Sequence, residues 1–303
     1  MSAVAYVNGR VFAEQDATIS IFDHGFLYGE GVYEVLRTYE GTLFLADRHF
    51  RRLRTSASMI TLDVGMTDAA LEAAIGETMG AFRARAGAPV PDQELYVRLL
   101  VTRGVGQMTY EPSASPRPSV VIIVKPLVPP PPAAYREGVA VSLVSVMRNH
   151  PRSLDPRIKS NNLLNNVLAM QEALRRGAFF EAVLRNHRGE LAECSQSNLF
   201  VVKNGVACTP ALDAGLLAGI TREFVEDIAA DAGVRTVDAA LHDDDLLGAD
   251  EAFLTSTTRE IVPIVRVDDH RIGTGLPGPV TLRLLDAYRA GALQAVRRVR
   301  GRP

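Results

Sequence analysis

Apolar and polar residues recur along this chain with two periods, two for strands and 3.6 for helices, and the switches between them mark out its elements. Ala5 to Asn8 and Arg10 to Phe12 flank Asn8-Gly9, a pair that favours a tight primed turn, and predict an opening hairpin. Gly29-Glu30-Gly31 leads into Val32-Tyr33-Glu34-Val35-Leu36-Arg37-Thr38-Tyr39, where β-branched and aromatic residues mark a strand entered through a glycine corner. A helix from Asp47 to about Met59 carries His49, Arg51, Arg52 and Arg54. A second helix, Thr67 to Ala86, sets Leu71, Ala74, Ile75, Thr78 and Phe82 on one face. Strands at Glu94 to Thr102 and Val120 to Val124 complete a first half of strands packed on two helices, an α+β arrangement.

Four consecutive prolines, Pro129 to Pro132, break this pattern and predict a stiff polyproline-like connector. The expected division is therefore an N-terminal domain over 1–125, a linker over 126–135 and a C-terminal domain over 136–303. The second half resumes with a strand at Val139 to Val146. An amphipathic helix follows through Arg176, with Leu163, Leu164, Val167, Leu168 and Leu174 at helical spacing and Ser160 or Asn161 as its N-cap. Glu181 to Arg185 and Glu190 to Ala192, joined at His187-Arg188-Gly189, read as a hairpin; strands at Asn198 to Val202 and Val206 to Thr209 flank Asn204-Gly205. A helix from about Thr221 to Ala232, strands at Glu251 to Thr255 and Ile261 to Val267, and a helix from about Gly278 close the chain, with the basic tail Arg297 to Pro303 expected to fray.

A length of 303 residues suits two domains with a sizeable core. The net charge of -2 gives no electrostatic reason to expect nucleic acid or an anionic membrane as partner, and no apolar run approaches the roughly 20 residues of a membrane span. Residues 1–10 carry neither a basic leader nor an apolar signal core, and the two cysteines, Cys194 and Cys208, argue against a disulfide scaffold. A reduced, cytoplasmic protein is expected, with no metal site.

Lysine usage narrows the chemistry. Of 33 basic residues only Lys125, Lys159 and Lys203 are lysines, so each asks for a reason. Lys203 flanks the Asn204-Gly205 turn and Lys125 ends an apolar strand. Lys159 instead stands before a helix, where an amine can project into a cleft, and lysine, unlike arginine, can lose its proton and condense with a carbonyl. Gly219-Ile220-Thr221 opens a helix whose free N–H groups suit a phosphate, although most such starts only cap themselves. Thr255-Ser256-Thr257-Thr258 is a second hydroxyl-rich turn, and Arg52 could grip the same phosphate bidentately. Glu193 lies in a polar run between two apolar strands, a setting usually exposed; beside a lysine-bound pyridine ring it would hold the ring nitrogen protonated.

Together these pieces resemble the class IV, or fold-type-IV, pyridoxal-phosphate-dependent aminotransferases over about Tyr6 to Tyr288. The most specific parts are Asp23-His24-Gly25 with Tyr28-Gly29-Glu30-Gly31-Val32-Tyr33-Glu34, Arg48 to Leu53, Ile158 to Asn166, Glu193 to Phe200, Gly219 to Glu223 and Leu254 to Ile261. The resemblance implies a two-domain α+β fold, with a smaller N-terminal domain, a larger C-terminal domain and pyridoxal 5′-phosphate between them, in a homodimer. It makes Lys159 the Schiff-base lysine and proton shuttle and Glu193 the partner of the pyridine nitrogen, with Ser197 and Asn198 beside it. Arg52, Gly219, Ile220, Thr221, Ser256 and Thr257 would hold the phosphate. Tyr28, Tyr33, Tyr96, Arg98 and Thr258 would receive the substrate, an amino acid donor exchanging its amino group with 2-oxoglutarate or another 2-oxo acid.

Within the family, Tyr96-Val97-Arg98 looks like the Tyr-x-Arg of branched-chain enzymes, and no Arg-x-His trap of D-amino acid enzymes stands between Arg103 and Pro118. Val35 leans the other way, since D-amino acid enzymes tend to carry valine there, and Leu164 replaces the bacterial branched-chain tyrosine. The loop Gly104 to Tyr110 keeps a branched-chain Gly-Val-Gly start but lacks the glycine expected near Thr109; in the family it borders the neighbouring subunit's site. Glu193-Cys194 is similar to aminodeoxychorismate lyases, whose Lys-x-x-Asn-Arg pattern is broken by Leu163. The expected activity is transamination of L-branched-chain or other apolar amino acids, with D-amino acid or R-amine transamination and pyruvate release from aminodeoxychorismate as alternatives.

Overall fold

The structure, a computed structural model, describes residues 3–85 and 93–301. The expected helix end at Ala86, the first two residues of the N-terminal stretch and the last two of the basic tail lie outside the described residues. The chain divides into two compact units, Met1–Val128 with Ile158–Asn162 and Ala295–Pro303, and Pro129–Arg157 with Leu163–Gln294.

The first unit is built on an antiparallel sheet. Its strands are β1 (Val4–Val7), β2 (Arg10–Ala13), β3 (Gly31–Tyr39), β4 (Thr42–Leu43), β5 (Leu95–Thr102) and β6 (Ser119–Pro126), ordered β2-β1-β6-β5-β3-β4. The opening hairpin turns on Asn8 and Gly9 with φ of 47° and 94°, the left-handed conformations a primed turn requires. The short helix α1 (His24–Leu27) precedes β3 and is capped by the Asp23 side chain, while α2 (Ala46–Met59) and α3 (Asp68–Arg85) cover one sheet face. Alternation decides which side chains meet those helices: Val32 and Leu36 of β3 and Leu95, Val97, Leu99 and Val101 of β5 join Phe50, Leu53, Leu71, Ile75 and Phe82 in one core. The odd members of β3 and the even members of β5 therefore line the opposite face.

The second unit contains α4 (Pro132–Arg136), β7 (Val139–Leu143), α5 (Leu164–Arg176), β8 (Glu181–Arg185), β9 (Leu191–Cys194), β10 (Asn198–Lys203), β11 (Val206–Pro210), α6 (Ile220–Ala229), β12 (Arg235–Ala239), α7 (Asp243–Leu247), β13 (Glu251–Ser256), β14 (Glu260–Val267), β15 (His270–Arg271) and most of α8 (Pro279–Arg300). The sheet runs β12-β11-β10-β13-β14-β7-β8-β9, mixed because β11/β12, β14/β7 and β7/β8 pair in parallel. Its core gathers Val141, Val183, Leu191, Leu199, Val201, Leu254, Val262 and Ile264.

Several expectations change. The proline connector is extended only as far as Pro131; Pro132 then opens α4, since proline's fixed φ suits a first helical turn. The helix after Lys159 starts at Leu164, without a side-chain cap, because the backbone of Ser160 and Asn161 is spent on β3. Its buried side is Ala169, Glu172 and Ala173, whereas Leu164, Val167, Leu168 and Leu174 face outward at 63, 44, 45 and 55% exposure. Small alanines let α5 approach its sheet, and Glu172 accepts from the N–H groups of Ser145 and Val146. The basic tail stays helical to Arg300, tied down by Arg297 on Glu40 and Arg300 on Thr42. The edge strand β12 carries no apolar run to betray it and is half exposed.

Leu36 is fully buried at the centre of the first core. Leu36→Ala should cost about 2–5 kcal/mol, read as a lower urea midpoint at unchanged slope; a change below about 0.5 kcal/mol would contradict this packing.

Candidate active site

In the first unit the backbone of Lys159 is held on both sides. Its N–H donates to Ser56 Oγ on α2 at 3.1 Å, and its carbonyl accepts from the Tyr33 N–H of β3 at 2.9 Å. Ser160 bridges Val32, and the Asn161 N–H donates to the Gly31 carbonyl at 3.0 Å. Residues 159–161 thus pair as a short extended segment with the start of β3. Gly31 is required there, because a Cβ would stand 2.8 Å from the Val101 carbonyl oxygen and 3.0 Å from Asn161 Oδ1.

Lys159 Nζ lies 4.6 Å from the Tyr33 ring centroid, and the Arg98 guanidinium lies 4.1 Å from the same ring. Register explains this grouping: Tyr33, Val35 and Arg37 stand opposite Leu100, Arg98 and Tyr96 on the face turned away from α2 and α3. Tyr96 in turn meets Lys125 Nζ at 5.0 Å. Tyr28 lies at the end of α1, its ring edge-on to His24 at 5.0 Å and to Tyr110 at 5.3 Å.

The other face of β3 carries Glu34. Arg52 Nε and Nη2 each donate to its carboxylate at 2.7 Å, and His49 Nδ1 donates to it at 2.7 Å. Burial by itself would raise the Glu34 carboxyl; the Arg52 guanidinium and the His49 hydrogen bond outweigh it and hold the group down at about 2. His49 is pushed below its ordinary value by burial first, with Glu34 opposing and the charges of Arg52 and Lys159 adding to the fall. Neutral His49 therefore donates from Nδ1, and its Nε2 is buried without a hydrogen-bond partner among the described residues. Arg52, expected as an anion grip, is a cation whose plane Glu34 has already fixed.

In the second unit Glu193 is a buried member of β9, not an exposed loop residue, because β9 pairs with β8. Arg148 Nε donates to its Oε1 at 2.6 Å, and the Leu217 N–H and Asn198 Nδ2 donate to Oε2 at 3.2 and 3.5 Å. Asn198 also donates to the Leu217 carbonyl at 3.0 Å. Gly219 is the N-cap of α6 and lends it no side-chain cap; a Cβ there would fall 1.8 Å from Asn198 Oδ1. The N–H groups of Ile220 and Thr221, in the first turn, have no intrahelical acceptor, and the helix dipole adds to their attraction for an anion. Across the sheet Thr255 faces Asn198, and its Oγ1 is buried without a partner among the described residues. Ser256 ends β13 opposite Glu260, with Thr257 and Thr258 in the turn between. Ser197 points elsewhere: its hydroxyl donates to Glu181 at 2.6 Å, in a buried cluster with Ser195, the Gln196 N–H and Arg259.

The structure thus brings Lys159, Tyr33, Arg98 and Tyr96 together on one sheet face, and Glu193, Asn198, Gly219, Ile220 and Thr221 together around the start of α6. Glu34, His49, Ser56 and Arg148 were not among the site residues expected from the sequence. Three of them had a signal: Glu34 is a charge at a helix-facing parity of a strand, and His49, Arg52, Leu53 and Ser56 share one helical stripe. Arg148, far from any regular pattern, had none.

Glu34→Gln should replace the charge-assisted hydrogen bonds from Arg52 and His49 by weaker neutral ones, costing about 1–3 kcal/mol by chemical denaturation. Because the folded carboxyl sits at about 2, below its ordinary 4.5, the stabilisation it gives is complete above the ordinary value and fades as pH falls through about 2. The variant should accordingly show a shallower loss of stability between those values, and a curve parallel to the parent's would contradict the assignment.

Comparison with known proteins gives the family. Residues 31–267 match the family described as amino-transferase class IV. A Methanocaldococcus jannaschii protein provisionally named as a branched-chain-amino-acid aminotransferase is 37% identical over 94% of this chain and 94% of its own. A Bacillus licheniformis D-alanine aminotransferase is 34% identical over 94% of this chain and 96% of its own. The crystal structure of the T.th. branched-chain amino acid aminotransferase with pyridoxamine 5′-phosphate superposes with a TM-score of 0.88 at 28% identity, covering 99% of this chain and 97% of that one. With its lysine, buried carboxylate and open helix start in the matched span, this chain belongs to the class IV aminotransferases, enzymes whose cofactor is pyridoxal 5′-phosphate.

Proposed function

We propose that the chain transfers an amino group between an L-branched-chain or other apolar amino acid and 2-oxoglutarate or another 2-oxo acid, with Lys159 as its catalytic residue. The observation that carries this reading is the shared sheet face of Lys159, Tyr33, Arg98 and Tyr96.

The residues fit the cofactor. A buried carboxylate at Glu193 suits a protonated ring nitrogen, with Arg148 and Asn198 fixing its plane. In the second unit the uncapped start of α6 at Gly219, Ile220 and Thr221, the Thr255 hydroxyl, without a partner among the described residues, and the neighbouring Ser256 and Thr257 suit its phosphate; in the first unit Arg52 is pre-oriented as an anion grip. When bound, pyridoxal phosphate supplies an aldehyde for an amine and a ring that withdraws electrons from the substrate Cα.

The chain's own groups do the rest. Lys159 Nζ, fixed by its backbone, moves the proton at the substrate Cα. Arg98 takes the substrate carboxylate, and Tyr28, Tyr33, Tyr96 and Thr258 shape the side-chain side. A second reading, D-amino acid transamination, is supported by Val35 and by the similarity to D-alanine aminotransferases. Pairing of two copies is supported by the outward leucines of α5, and a cytoplasmic setting by the free Cys194 and Cys208. No helix among the described residues is long and apolar enough to cross a membrane.

Lys159→Ala should lower turnover by about 100-fold to 10,000-fold or more. In a panel of L-leucine, L-valine, D-alanine and an R-amine, each with an oxo-acid acceptor, the L-branched donors should react fastest. Turnover of D-alanine with silent L-donors would select the second reading, and pyruvate released from aminodeoxychorismate without an acceptor would remove both.

A further inference from the structure

Two turns lie side by side at one end of the β10/β13 pair, where Asn198 stands opposite Thr255. Residues 195–197 lead from β9, which carries Glu193, into Asn198 of β10, and residues 257–259 lead from Ser256 of β13 to Glu260 of β14. Both turns are tied to Glu181, the wholly buried first residue of β8. Ser195 Oγ and the Gln196 N–H donate to Glu181 Oε2 at 3.1 and 2.8 Å, and Ser197 Oγ donates to Oε1 at 2.6 Å. Oε1 also accepts from Nη1 of Arg259, the last residue of the other turn. Arg259 Nη2 donates to the Gln196 side-chain oxygen at 3.0 Å, so one guanidinium bridges the two turns twice.

Arg259 is itself fixed along its length. Its N–H donates to the Ser256 carbonyl at 3.2 Å, and its carbonyl accepts from the Tyr135 hydroxyl at 3.1 Å. Its guanidinium lies 4.9 Å from the Phe180 ring centroid. The fork is thereby committed to acceptors of the protein. Apolar groups of the same shape often give equal stability in place of a buried ion pair, so what Glu181 and Arg259 add is a defined arrangement of the turns.

We propose that Arg259, held by Glu181, is a positioning residue for the cofactor phosphate: it fixes the turn after Ser256 against residues 195–197 without touching the phosphate itself. The inference rests on the reading in which Ser256 and Thr257 hold that phosphate. Loss of the guanidinium leaves both hydroxyls in the chain but lets the turn that presents them shift, and hydrogen bonds weaken steeply with misalignment.

The full chain, freed of cofactor, is titrated with pyridoxamine 5′-phosphate and with pyridoxamine, which lacks the phosphate. Arg259→Gln should raise Kd about tenfold for the first and less than about twofold for the second. Thr257→Ala should likewise weaken only the phosphorylated ligand. The double variant should lose little more than the larger single loss, because both changes act on one turn. In the holoenzyme, Arg259→Gln should also shift the phosphorus NMR resonance of the bound cofactor. Arg259→Lys keeps a cation beside Glu181 but cannot fork to Gln196; it should give the same pattern at smaller size, and it carries the test where Arg259→Gln does not fold. Equal losses for both ligands, no loss for either, an unmoved resonance, or losses that multiply in the double variant would overturn the positioning role. If Ser256→Ala and Thr257→Ala leave Kd for the phosphorylated ligand unchanged while Arg259→Gln raises it, the phosphate reading of that turn fails instead.

Discussion

The site depends on a pair of main-chain hydrogen bonds. The amide of Lys159 is fixed to Ser56 on α2 and its carbonyl to Tyr33 on β3, so the backbone fixes where the side chain starts, and its amine then lies over the Tyr33 ring. Neutral hydrogen bonds of this kind contribute only about 1 kcal/mol each to stability, yet they fix the direction of the Cα–Cβ bond from which the side chain extends. The root of this side chain shares the order of the sheet, which a loop lysine would lack.

The same strand does a second task through its other parity. One residue beyond Tyr33 the chain turns Glu34 toward the helices, where Arg52 and His49 converge on it. Burial of a carboxylate is costly, and the geometry overcomes that cost with a bidentate guanidinium and a third donor. Strand alternation therefore couples the amine on one face to the fixed arginine on the other, one residue apart. Ser56, four residues after Arg52 on α2, closes the link by accepting from Lys159 itself. Glu193 repeats the logic in the other unit, where Arg148, Asn198 and a backbone N–H hold a buried carboxylate in place.

Much of this was legible in the sequence. Periodicity located α2, α3 and the central strands because each buries one face of a regular element, and the Asn-Gly pairs found both hairpin turns. The motifs around Lys159, Glu193 and Gly219 singled out these residues because their chemistry is unusual for their settings. What escaped has a physical cause in each case. Ser160 and Asn161 have cap-forming side chains, but their backbone pairs with β3, which delays the helix to Leu164. The leucines of α5 have the spacing of a buried stripe, yet alanines and Glu172 occupy the buried side, because close approach to the sheet favours small residues. Arg148 and the Glu34 cluster are tertiary pairings between distant segments, which no local pattern reports.

Which lysine carries the cofactor decides the mechanism most directly, and the chain offers three to choose from. Borohydride reduction of the holoenzyme followed by peptide mapping should find the pyridoxyl group on Lys159. A group found on Lys125 or Lys203, or on no lysine at all, would contradict it.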